Sequence, residues 1–233
     1  MKKIIKVIPL MLLPLNTFAL DDYYLKLDCG MSRVGDTYNI IPKDNIVMDE
    51  KGIDGIFGLG FGFNYGKIRP EINLNFGYNP YKKQELKNIG EASKIESKGK
   101  YNIYSLFVGV NIDLFEFNAS HVFIGAGVGA AIMKSVVEGT YTKVDGSQSN
   151  FTETSKYQTN FAGMLRAGLS HPISESAYLD FAYEFHYYGD RPKKANSKIT
   201  DKATGQVTEM LIENPYNGYI YSNSLRLGLR FML

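Results

Sequence analysis

Between residues 57 and 65 every second residue is large and apolar or aromatic (Phe57, Leu59, Phe61, Phe63, Tyr65), while Gly58, Gly60, Gly62 and Asn64 fill the places between. A period of two puts successive side chains on opposite faces of a strand, so this stretch has one greasy face and one nearly bare face. Residues 68–78 repeat the device, with Ile68, Pro70, Ile72, Leu74, Phe76 and Tyr78 opposite Arg69, Glu71, Asn73, Asn75 and Gly77. Only Gly66 and Lys67 separate the two stretches, which predicts a tight hairpin. Strict alternation of this kind is incompatible with a helix and commits the chain to antiparallel sheet.

The same pattern recurs at 22–33, 101–114, 121–136, 159–170, 177–188 and 219–233, giving eight predicted strands. Long connections (about 34–54, 79–100, 137–158 and 189–217) alternate with short ones (66–67, 115–120 and 171–176). Long loops at one end and tight turns at the other are the layout of a membrane barrel. The predicted fold is all-β, an eight-stranded antiparallel up-and-down transmembrane β-barrel. No stretch beyond residue 20 has 18 consecutive apolar residues, so helical membrane spans are excluded.

Such a barrel could instead be a soluble, lipocalin-like binder with its apolar face inward, and the polar face discriminates between the two. It carries Lys26, Asp28, Arg69, Glu71, Arg166, Asp180, Glu184, Arg226 and Arg230, with His186 beside them, diluted by glycine. A water-exposed strand face would use more Lys and Glu and fewer glycines. Near-balanced charge among small residues suits a crowded lumen in which ions must pair. These nine residues are therefore expected to form a lumen charge network. The apolar face is expected to meet lipid, with Tyr65, Tyr78, Tyr104 and Tyr187 in an interfacial girdle.

Composition fits this reading once the N-terminus is set aside. Lys2, Lys3 and Lys6 precede a short apolar core at 7–15, and Thr17-Phe18-Ala19 ends it with a small-x-small pattern, so residues 1–19 are expected to be a secretory signal peptide. Their removal changes the formal charge from +2 to −1. The single cysteine, Cys29, excludes a disulfide scaffold and is read as a small apolar strand residue. The remainder, with 17 Tyr, 13 Phe and 23 Gly, is strand-forming and slimmed by glycine, with no basic excess of the kind nucleic acid requires.

The C-terminal run Arg226-x-Gly228-x-x-Phe231-x-Leu233 resembles the terminal strand signal of bacterial outer-membrane proteins, with Leu where that signal usually ends in Phe. Gly125-Ala126-Gly127-Val128-Gly129 and Arg69-Pro70-Glu71 extend the likeness to OmpA-like and opacity-type surface barrels. The resemblance implies the bacterial outer membrane, recognition by the barrel assembly machinery, and contact with outer-membrane lipid and lipopolysaccharide. Heavy Lys, Asn, Ile and Tyr usage without Trp points to an AT-rich genome, compatible with a surface antigen of an obligate intracellular bacterium.

Chemistry is sparse. Gly125-x-Gly127-x-x-Ala130 matches a dinucleotide fingerprint formally, but it lies in an alternating strand with no following helix. Of three histidines, His121 and His171 border predicted turns, and His186 reads as a structural lumen residue beside Glu184. No His-x-Ser pair of the kind a lipid A-modifying enzyme would use occurs. The chain is expected to be non-enzymatic, without cofactor or metal, and monomeric. A small pore is disfavoured because eight strands enclose only side-chain volume. The loops at 79–100 and 189–215 together carry net +4, which nominates Lys82, Lys83, Lys87, Lys193, Lys194 and Lys198 as candidate contacts for anionic partners. The predicted role is a surface antigen or adhesin-like interaction protein, and a structural envelope component, with host surface or serum proteins as partners.

Overall fold

A computed structural model describes residues 22–36, 46–51, 54–89, 92–213 and 218–233; the expected signal peptide lies outside the described residues. These form β1 (Tyr23–Asp36), β2 (Ile46–Lys51), β3 (Asp54–Phe63), β4 (Ile68–Ile89), β5 (Ala92–Phe117), β6 (Ser120–Lys143), β7 (Gln148–Ser155), β8 (Gln158–Ser174), β9 (Ala177–Asp190), β10 (Lys194–Asp201), β11 (Val207–Glu213) and β12 (Tyr219–Met232). All are joined in one sheet, and every pairing is antiparallel. Neighbours run β6-β5-β4-β3-β1-β12-β9-β8, and β8 pairs with β6 again, so the order returns to its start.

Twelve strands stand where eight were expected, because the long connections are themselves strand. β4 continues past Tyr78 to Ile89 and pairs there with the early part of β5, for example Tyr81↔Gly99 and Glu85↔Glu96. The upper part of β6 leaves β8 and takes β7, to which β10 and then β11 are added, while β2 lies on β4. The alternation in sequence fades in these segments for a physical reason. Outside a bilayer both faces of a hairpin meet water, so no apolar period is imposed, yet backbone ladders still form. Thr-rich β7 (Gln148–Ser155) is such a strand.

Within the pleat, burial is inverted relative to a water-soluble sheet. Leu59, Phe61, Leu106, Val108, Leu165, Leu227 and Leu229 point outward and are exposed, while Lys26, Glu71, Arg166 and Glu184 are buried. Inner-face glycines make the room: Lys26 stands opposite Gly60, Asp28 opposite Gly58 and Gly228, Glu71 opposite Gly62 and Gly109, and Arg166 opposite Gly125. Gly129 is needed for a second reason, since a Cβ there would overlap the carbonyl oxygen of Leu106 on the adjacent strand. Gly129→Ala is expected to slow barrel formation and to destabilise by about 1–3 kcal/mol, read from the fraction of heat-shifted species in a refolding time course; refolding at the wild-type rate and yield would refute that close approach.

Toward the long hairpins the interior becomes apolar, with Ile103, Phe107, Ala131, Met133, Ala162, Met164, Tyr188 and Ile220 packed together. The lumen is thus layered, polar in one half and greasy in the other. At the opposite end the connections are two-residue turns. Gly66 (φ 61°) occupies the first central position of the β3–β4 turn, where its positive φ is required. In the β5–β6 turn Asn118 (φ 47°) and Ala119 (φ 61°) are both left-handed, as a type I′ turn demands. Alanine is poorly suited to that region, so Ala119→Gly is expected to stabilise by up to about 1 kcal/mol, visible as a higher urea midpoint; a lower midpoint would refute the turn assignment.

Candidate functional site

The nine residues expected in the lumen are all buried. Six form one chain of ions. Lys26 Nζ lies 3.4 Å from Asp28 Oδ2 and 3.8 Å from Glu71 Oε1. Arg166 Nη1 donates to Glu71 Oε1 at 2.8 Å, and its Nε lies 2.6 Å from Glu184 Oε1. Arg226 completes the chain, with Nε 2.8 Å from Glu184 Oε2 and Nη1 donating to Asp28 and, at 2.8 Å, to Asn75 Oδ1. The two Nε contacts to Glu184 are close in distance but not aligned as hydrogen bonds. They act through charge, which a low-dielectric interior magnifies.

The other three stand apart. Arg230 lies 3.5 Å from Asp180, donates to Ser170 Oγ at 2.7 Å, and stacks over Tyr178 and Tyr24. Arg69 turns to Asp113, donating at 2.6 Å while lying over the Phe123 ring. Asp113 was visible in the inner register of its strand, two residues past Asn111, but nothing in the period alone ties it to Arg69. Tyr24 was also unforeseen as a member; its hydroxyl donates to Glu71 Oε2 at 2.8 Å. His186 sits between the Phe107 and Tyr188 rings with Nε2 3.2 Å from Glu184. It joins the ionic layer to the apolar one.

Arg69, Arg166, Arg226, Arg230 and Lys26 are thus all paired with carboxylates, and the side chains fill the space between strands that are not neighbours, such as β4 with β8 and β12. Among the described residues no group of His, Cys, Asp and Glu could hold a metal ion. The structure does bring together one pair that the sequence separates by 51 residues: Ser120 Oγ lies 2.9 Å from His171 Nδ1 at the short-turn end. The pair is solvent-exposed, and among the described residues no carboxylate hydrogen-bonds the imidazole as the third member of a serine nucleophile's triad would.

At the other end the hairpin lysines are dispersed. Lys193 lies 3.6 Å from Asp190 and Lys198 lies 3.8 Å from Glu209, so both are partly neutralised by neighbours. Lys194 opens β10 opposite Glu213, and Lys82, Lys83 and Lys87 lie on the β4 extension, where their side chains fall outside the described part. The β10–β11 turn is held by Asp201, whose carboxylate accepts from the Thr204 and Ala203 amides and the Thr204 hydroxyl. Those donors, Thr204 first, keep its carboxyl below the usual range. Beyond the turn, β11 exposes Val207, Met210 and Leu211 and, among the described residues, pairs on one side only. In the C-terminal run, Arg226 belongs to the ion chain, Gly228 faces Asp28, and Phe231 and Leu233 point outward.

No protein-family model matches the chain. A Rickettsia akari (strain Hartford) protein described as "Putative adhesin" is 32% identical over 220 residues, covering 91% of this chain and 88% of that one. One from Rickettsia conorii (strain Malish 7), described in the same words, is 24% identical over 217 residues, with 91% and 82% covered. Among solved structures, a major outer membrane protein from Thermus thermophilus aligns with a TM-score of 0.52 over 90% of this chain and 98% of its own, at 12% identity, a likeness of fold. An inverted β-sheet with its apolar face outward, placed among such relatives, is a protein of the bacterial outer membrane, and the chain belongs to the rickettsial family whose members are described as "Putative adhesin".

Proposed function

We propose that β1, β3, β4, β5, β6, β8, β9 and β12 close an eight-stranded transmembrane barrel of the OmpA-like, opacity-type kind, which carries its long hairpins into the medium as a non-enzymatic, adhesin-like surface. The observation that carries this reading is the inverted burial. Leucines and phenylalanines face out along the same strands whose lysine, arginines and carboxylates face in, an arrangement stable only against hydrocarbon. The soluble lipocalin-like alternative requires the opposite and is set aside. The ion-paired interior argues against a solute pore, because the buried cations Lys26, Arg69, Arg166, Arg226 and Arg230 are each tied to a carboxylate.

Function then falls to the extension above the barrel, the continuous sheet β4-β5-β6-β7-β10-β11. Its outer strand β11, paired on one side only among the described residues, exposes Met210 and Leu211, a surface suited to pairing with a segment of a host surface or serum protein. The barrel itself anchors this sheet as a structural element of the envelope. Recognition of the Arg226–Leu233 run by the barrel assembly machinery would deliver it there.

Replacing residues 195–212 by a short Gly-Ser linker tests the reading. Bacteria displaying the trimmed protein are expected to lose most of the host-cell or serum-protein binding conferred by the wild type, while the heat-shifted gel migration of the barrel is retained. Full binding after trimming would move the adhesive surface elsewhere. Discrete conductance steps from the wild type in a planar bilayer would restore the pore.

A further inference from the structure

Among the described residues the outward wall is interrupted at two glycines with open space beside them, Gly163 and Gly55, and only the second break has a cation at its edge. Across β1, β3, β4 and β5 the outward row Cys29–Phe57–Phe76–Tyr104 is fully furnished. The next row toward the hairpins reads Met31–Gly55–Tyr78–Asn102 and then Lys134 on β6. Gly55 interrupts that row, and nothing lies within 4 Å of where its Cβ would be. The missing side chain opens a groove of about 650 Å³ with Phe57, Phe76 and Tyr104 at its apolar end and Lys100 and Asn102 at its head.

The head is cationic. Lys134 stands opposite Asn102, one diagonal step from Lys100, so the two backbone positions are about 7–8 Å apart on the same outward face, while the ammonium groups lean to opposite sides, Lys100 toward β4 and Lys134 toward the segment that leads into β8. Each ammonium is held over a tyrosine ring, Lys100 over Tyr78 at 5.8 Å and Lys134 over Tyr157 at 5.2 Å. A tyrosine face orients a cation without neutralising it, so the charge stays available to an anion. Both lysines sit where the outward aromatics Tyr78 and Tyr104 mark the boundary of the apolar wall. An apolar notch with Lys100 at its head and Lys134 beyond it is complementary to one chemical class, an amphiphile with an acyl chain and an anionic headgroup broad enough to reach both cations.

We propose that this groove binds lipid A, the phosphorylated glycolipid of lipopolysaccharide, with one acyl chain laid over Phe57 and Phe76 past Gly55, a phosphate at Lys100 and the far side of the headgroup at Lys134. The choice of lipid rests on the orientation proposed above, in which the hairpin end meets the outer leaflet, where lipopolysaccharide is the phosphorylated amphiphile. The site would fix the angle and depth of the barrel and tie the base of the β4–β5 and β5–β6 hairpins to the surrounding lipid.

Native mass spectrometry of the full mature chain, refolded in detergent and titrated with lipid A, tests the site. Wild type is expected to retain lipid A, and Lys100→Gln/Lys134→Gln is expected to weaken retention about tenfold. Dephosphorylated lipid A should bind wild type no better than lipid A binds that variant. Gly55→Phe, whose new side chain enters open space, should also weaken retention while leaving the fold intact. Retention unaffected by the double substitution, or by loss of the phosphates, overturns the site. Phosphatidylglycerol retained as well as lipid A overturns the assignment to lipid A. Heat-shifted migration of the same samples separates the two levels: a wild type that never shows it overturns the barrel and this site together, whereas a folded barrel indifferent to both lysines overturns the site alone.

Discussion

Glu184→Ala is expected to lower the unfolding free energy of the barrel in lipid vesicles by about 3–5 kcal/mol, the cost of stranding buried charge. Glu184 is fully buried and is met by both Arg166 and Arg226, with His186 on its third side. Its removal leaves two guanidinium groups sharing the carboxylates of Glu71 and Asp28, which Lys26 already contacts. Three cations then face two anions in a volume with no water-exposed outlet. The loss should fall toward the lower end of the range because Arg166 keeps Glu71 and Arg226 keeps Asp28 and Asn75. The chain has no tryptophan, so circular dichroism and gel migration against urea are the suitable readouts. A loss under about 1 kcal/mol, the range of an exposed surface pair, would mean that the network is hydrated and the lumen open.

The second large effect is expected on the opposite face. Val108 is exposed at 42% and lies midway along the outward row that runs from Tyr104 to Ile112, so in a soluble protein Val108→Arg would be nearly silent. Against the bilayer midplane the same change is expected to cost about 2–4 kcal/mol. Thr152→Arg, also at an exposed position but on β7 of the extension, should stay within about 0.5 kcal/mol. Measuring both by urea titration in vesicles compares two accessible positions that differ only in the surrounding medium. Equal, small effects would show that the apolar face does not meet hydrocarbon.

What the sequence made legible follows from where a solvent imposes a period. Along Phe57–Tyr65 and Ile68–Tyr78 hydrocarbon dictates one face and the lumen the other, so direction, pairing and burial could all be read from alternation. In β7 and β10 water bathes both faces, and the strands there, Gln148–Ser155 and Lys194–Asp201, left no such trace. Lumen membership was readable one residue at a time, because facing inward is a property of register. Pairing was not: Arg69 finds Asp113 rather than Glu71, and Glu71 instead serves Arg166, Lys26 and Tyr24. Those choices depend on side chains crossing from strands far apart in sequence. Phe107 shows the same limit, an aromatic in the inner register whose purpose emerges only when His186, Met133 and Ile103 gather round it.

The position of β12 bears on the order of events during biogenesis. Its residues pair with β1 along one edge, from Tyr24↔Met232 to Asp36↔Ile220, and with β9 along the other. Among the described strands, the one made latest is therefore the partner of the one made earliest, so this seam forms only after every described strand between them has been made. Loss of β12 would leave the β1 and β9 edges without their shared partner, the kind of unpaired edge through which copies of a chain associate. Closure of this seam therefore waits on the fourteen residues of β12, however early the other strands pair.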